Sequence, residues 1–106
     1  MRRFLRMAQV KPEAKAYYIE RHANAPAALL RALCQAHIQN YSIAEKDGLL
    51  ISYFEYTGAD FDADMRALDA DPASAKWNEA LSACFVRHDE GCWQTFREVF
   101  YLDGKN

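Results

Sequence analysis

The dipeptide Asp47-Gly48 constrains the fold more than any other feature of this chain. It sits between two short β-like runs, Asn40 to Ala44 and Leu49 to Tyr56, within the connection Glu45-Lys46-Asp47-Gly48. Asp-Gly is a strong hairpin signal, because a two-residue turn between antiparallel strands needs positive φ. The flanking segments then decide the topology. Arg3 to Val10 reads as a strand that stops before Lys11-Pro12. Glu13 to Ala23 reads as a helix, with Pro12 suited to its first turn. Asn24 is suited to cap a second helix with Pro26 in its opening turn. Leu29, Leu30, Leu33 and Cys34 form the stripe of that helix, which runs to about His37. Phe61, Met65 and Leu68 mark a third helix. Asp71-Pro72 opens a fourth, with Asp as cap and Pro at its first position, and with Trp77, Leu81, Cys84 and Phe85 as its stripe. His88-Asp89-Glu90-Gly91 reads as a loop, and Thr95 to Leu102 as a closing strand.

Strand, helices, hairpin, helices, strand is the order of an α+β, ferredoxin-like βαββαβ domain. Four antiparallel strands would carry the helices on one face. Leu50 and Phe54 alternate with Ile51 and Tyr53, so both sheet faces read as buried. Pairing of two copies through the helix-free face is the simplest way to cover it, giving a dimeric αβ-barrel and a homodimer as the expected assembly. With 106 residues, positions 1–106 form a single domain. The net charge of -2, with both signs interspersed, argues against a nucleic-acid surface. No run approaches the ~20 apolar residues of a membrane span, and Met1 to Arg6 lacks the apolar core of a signal peptide. Cys34, Cys84 and Cys92 are odd in number and show no CxxC spacing, so no metal site is expected and a reducing cytoplasm is the expected setting.

Chemistry-bearing residues cluster in a few places. Tyr18 and His22 are four residues apart on the first helix, hence on one face. A phenol and an imidazole held together can move protons near neutral pH, although the same pair also serves simply to stabilise a helix. Tyr41 is open to a packing role in the sheet, and Trp77 to a core role. Trp77 lies between polar Lys76 and Asn78, however, so its helix can reach solvent. There an indole can stack on a sugar and donate its N–H. Glu55 and Glu98 would be acids only if they faced a pocket. His37 and His88 read as structural or surface residues, and Asp60, Asp62 and Asp64 as a solvated face near a helix N-terminus.

Taken together, these segments resemble the L-rhamnose mutarotase family. The resemblance rests on Gln9 to Ala14, Tyr18 to His22, Asn40-Tyr41-Ser42-Ile43, Lys76-Trp77 and Glu98-Val99-Phe100-Tyr101-Leu102, in that order along nearly the whole chain. It implies interconversion of the α and β anomers of a 6-deoxyhexose without a cofactor. His22 would be the proton donor, Tyr18 and Tyr41 would contact the sugar, and Trp77 would line the pocket. Members usually follow the histidine with Trp-Pro-Glu, whereas Ala23-Asn24-Ala25-Pro26 stands here. A second tryptophan is usual after the first on the late helix, whereas Asn78 stands here. Arg87 to Trp93 replaces an Asn-Pro-Asp-Asn loop. Catalysis is therefore better supported than L-rhamnose specificity. L-Fucose is an alternative, with Asn78 placed to bond a differently oriented hydroxyl. Two other readings share the architecture: a cofactor-free oxygenase or haem-degrading enzyme, and a sugar-binding module without chemistry.

Overall fold

The computed structural model describes residues 1–104. Its elements are β1 (Arg2–Gln9), α1 (Lys15–Ala23), α2 (Ala27–Gln35), β2 (Ile38–Lys46), β3 (Leu49–Tyr56), α3 (Phe61–Ala70), α4 (Pro72–Leu81) and β4 (Gln94–Thr95). Single 3-10 turns at Pro12–Ala14 and Ser82–Cys84 precede α1 and follow α4. The antiparallel sheet has the order β2-β3-β1-β4, which is the ferredoxin-like arrangement expected from the element order.

The hairpin forms where Asp47-Gly48 places it. Lys46 pairs with Leu49, and the two turn residues have φ of 51° and 86°. Side chains on an antiparallel ladder alternate, and directly paired residues share a face. Phe4, Arg6 and Ala8 therefore face the same way as Phe54, Ser52 and Leu50. This is the helix-covered face. Its core is divided between a cluster of Ala8, Val10, Tyr18, Leu50, Leu81 and Cys84 and a second one of Ala36, Ile38 and Phe54. Phe61, Met65 and Leu68 of α3 pack on the second cluster, as their spacing requires. The opposite face presents Leu5, Met7, Leu49, Ile51 and Tyr53, none of them buried, and no helix of the described residues lies upon it.

Helix caps follow the sequence in part. The Asp60 and Asp71 side chains accept the backbone N–H groups of Ala63 and of Ala73 and Ser74, capping α3 and α4. Asn24 does not cap α2. Its amide instead donates to the Glu20 carbonyl at 3.1 Å and closes the end of α1, while α2 starts without a side-chain cap after the extended Pro26. Asp64 is not merely solvated. It accepts from the Tyr56 hydroxyl at 2.5 Å and contacts His37 Nδ1 at 3.1 Å, and the Tyr56 bond holds its carboxyl below the ordinary range.

The closing strand is shorter than expected. Only Gln94 and Thr95 pair with β1, and one further bond runs from Phe96 N–H to the Leu5 carbonyl at 2.8 Å. Beyond it, Arg3 holds Glu98 by two bonds of 2.8 and 3.0 Å, while Val99, Phe100 and Leu102 stand exposed. High β-propensity makes a strand only where a partner backbone and a packed face exist, and the single chain supplies neither here.

Candidate functional site

Between the sheet and the helices lies an open cavity of about 780 Å³, within the roughly 300–1,000 Å³ range of small-molecule sites. Tyr18, His22, Tyr41, Trp77 and Asn78 all line it. The cavity touches both halves of the divided core, and exposed Ile19 and Leu30 on its wall mark the side open to solvent. A second cavity of about 80 Å³, lined by Ala32, Asp64 and Leu68 among others, lies apart from these five residues.

The helical turn brings Tyr18 and His22 together with ring centroids 4.2 Å apart. His22 Nδ1 lies 2.8 Å from the Tyr18 backbone carbonyl. A carbonyl only accepts, so this contact assigns the proton to Nδ1 and leaves Nε2 as the nitrogen that can exchange a proton with a ligand. The Trp77 and imidazole rings meet edge-to-face with centroids 5.0 Å apart, which places the imidazole between Trp77 and Tyr18. Tyr18 is buried, and its hydroxyl bonds no described residue. Burial pushes its pKa well above the usual phenol value, so it stays protonated and serves as a donor at neutral pH.

Tyr41 reaches the cavity because of a bulge. Gln39 pairs with Glu55 and Ser42 with Tyr53, so both lie on the helix-free face although three positions separate them. The extra residue is absorbed at Asn40, whose φ is 50°, a conformation that asparagine tolerates better than most residues. Asn40 bonds Glu55 on the helix-free side at 2.8 Å, and Tyr41 turns inward against Phe54 at 5.5 Å. Without the bulge, Tyr41 would share the face of Gln39.

Neither Glu55 nor Glu98 enters the cavity. Glu55 accepts from Tyr53, Gln39 and Asn40 on the helix-free face, which together hold its carboxyl below the ordinary range. Glu98 is engaged by Arg3. The polar lining that sequence reasoning missed includes Arg6, Glu45, Ser74 and the indole of Trp93. Strand alternation from Phe54 through the β1–β3 register would have placed Arg6 inward, but only once that register is known. Glu45 accepts from Gly48 N–H at 2.8 Å and lies 3.5 Å from Lys15. Among the described residues, no group of three or more His, Cys, Asp or Glu could hold a metal ion, and no helix is long and apolar enough to cross a membrane.

Fold and cavity together define a ferredoxin-like domain with an open, largely apolar pocket between helices and sheet that carries a few polar side chains. The profile of the family described as L-rhamnose mutarotase matches residues 3–102, and the chain belongs to that family. An L-rhamnose mutarotase from Formosa agariphila is similar in structure, with a TM-score of 0.78 at 19% identity over 97% of this chain and 100% of that one. An antibiotic biosynthesis monooxygenase shares the fold at 14% identity and a TM-score of 0.61, covering 92% of this chain and 97% of its own. A conserved protein from Methanosarcina mazei does so at 14% identity and a TM-score of 0.62, over 91% and 90% of the two chains. No curated protein matches the chain in sequence.

Proposed function

We propose that this protein is a cofactor-independent sugar mutarotase that interconverts the α and β anomers of a 6-deoxyhexose, L-rhamnose in the first instance and L-fucose as the alternative. The observation that supports this reading is the convergence of Tyr18, His22, Tyr41, Trp77 and Asn78, from three separate elements, on one cavity. Mutarotation needs two proton transfers and no redox step. An acid protonates the ring oxygen while a base takes the proton of the anomeric hydroxyl. The ring opens to an aldehyde, the carbonyl turns, and reversal of both transfers closes the ring on the other face. Protonated on both nitrogens, His22 gives its Nε2 proton to the ring oxygen, while its Nδ1–H stays on the Tyr18 carbonyl. Tyr18, kept protonated by burial, orients the sugar as a donor and is excluded as the resting base. Trp77 offers its apolar surface to the sugar ring, and Tyr41 and Asn78 offer hydrogen bonds.

The assembly we propose is a homodimer, in a cytoplasmic setting suited to its three free cysteines. Leu5, Leu49, Phe96 and the segment Val99 to Leu102 are exposed, and exposed apolar side chains on one face suit contact with another protein surface. A second copy laid on the helix-free face would cover it, and light scattering is expected to give the mass of two chains.

Saturation-difference NMR on equilibrated L-rhamnose and L-fucose tests the activity. Catalytic protein will transfer saturation between the two anomeric proton signals faster than the buffer does. Binding of either sugar with no gain in exchange would leave a sugar-binding module in place of an enzyme.

A further inference from the structure

Among the described residues, Arg6 is a cation without an anion. It sits on the helix-facing side of β1, in the cavity wall, with its guanidinium 5.0 Å from the Phe54 ring and 4.8 Å from that of Trp93. Nη2 donates to the Tyr41 hydroxyl and to Ser52 Oγ, both at the long distance of 3.3 Å. Nε is buried, and neither it nor Nη1 bonds a described residue. Of the five N–H donors of a guanidinium, most are thus unmatched.

The same strand shows what a matched arginine looks like. Arg3 faces the other way and takes both oxygens of Glu98 at 2.8 and 3.0 Å. The carboxylates on the cavity wall do not do this for Arg6. Glu45 is occupied by Gly48 N–H and Lys15, and exposed Asp69 makes no ion pair with Arg6. An arginine fork fits a carboxylate by two parallel bonds, whereas a methyl group offers it nothing. A bound 6-deoxy sugar would take water from around the guanidinium without replacing those bonds, which a desolvated cation resists.

We infer that the cavity takes a sugar bearing a carboxylate, a hexuronate, as a second substrate class, and prefers it to the neutral 6-deoxyhexose. The inference rests on the mutarotase reading of the same cavity. C6 of a pyranose hangs beside the ring oxygen. A carboxylate there can meet Arg6 while the ring oxygen faces His22. Tyr41, already bonded to Arg6, adds a hydroxyl at the same end. The reaction itself is unchanged, since ring opening at C1 does not involve C6.

The test measures anomer exchange by saturation-difference NMR on D-galacturonate and D-glucuronate, each beside the 6-deoxy sugar of the same ring configuration, with L-rhamnose included. The acid is expected to exchange about tenfold or more faster than its 6-deoxy counterpart at equal concentration, the scale of a hydrogen bond to a charged group. Arg6→Gln should remove most of that ratio by raising KM for the acid, and Arg6→Lys, which keeps the charge, should retain part of it. An acid-to-neutral ratio of one or below in the native protein overturns the inference and leaves the mutarotase reading standing. So does a ratio that Arg6→Gln leaves unchanged. Absence of exchange with every sugar, acid and neutral, defeats the mutarotase reading itself.

Discussion

Replacement of His22 by alanine is expected to lower enzyme-dependent anomer exchange by roughly 10²–10⁴-fold, the usual contribution of a positioned acid or base. The magnitude follows from geometry. Nδ1 is committed to the Tyr18 carbonyl at 2.8 Å, so Nε2 alone can carry the proton toward the ring oxygen. The imidazole is also held between the Tyr18 ring at 4.2 Å and the Trp77 ring at 5.0 Å, so its orientation is set before a sugar arrives. Two neighbours on the same cavity wall cannot take over. Tyr18 keeps its proton too tightly, and Asn78 cannot act as an acid at neutral pH. Exchange is read by saturation-difference NMR, and far-UV circular dichroism checks that the variant is folded. Added imidazole should restore part of the rate, which a purely structural histidine would not allow. Unchanged exchange in a folded His22→Ala protein would overturn the assignment.

The fold was legible in the sequence because its signals are local. Asp47-Gly48 defines the hairpin, Asp71-Pro72 opens α4, and Phe61, Met65 and Leu68 keep helical period. The pairing of Tyr18 with His22 follows from one helical turn. Other features depend on neighbours that no local pattern names. Tyr41 faces the cavity through a bulge at Asn40, and alternation read straight along β2 would have put it on the opposite side. Arg6 becomes an inward cation only once β1 is registered on β3. Asn24 looks like an N-cap for the helix after it, yet bonds back to Glu20, because Pro26 already holds the chain extended before α2. The closing segment carries strand composition without a strand beyond Thr95. Its Phe, Val and Tyr residues favour a strand, but beyond Thr95 the single chain offers them no backbone to pair with.

Leu50→Ala is expected to cost roughly 2–5 kcal/mol of folding stability, as truncation of a fully buried leucine does. Leu50 has no exposed surface and joins the cluster of Ala8, Tyr18, Leu81 and Cys84 beneath α1 and α4. The adjacent Leu49 is a built-in control. It is chemically identical, lies on the same strand and pairs with Gln9, but points to the helix-free face and is 39% exposed. In urea titrations at a concentration low enough to hold the protein as single chains, Leu49→Ala should cost well under half of what Leu50→Ala does. Under the proposed homodimer, raising the protein concentration should widen the effect of Leu49→Ala and leave that of Leu50→Ala nearly constant, because only Leu49 would gain cover from a second copy. A one-residue slip in the register of β3 would exchange the two leucines. Equal costs for both variants in the dilute, single-chain regime would therefore contradict the assigned faces of the sheet. That assignment also places Tyr41 and Arg6 beside His22 in one cavity, so the stability ratio of two neighbouring leucines bears on the site as directly as on the core.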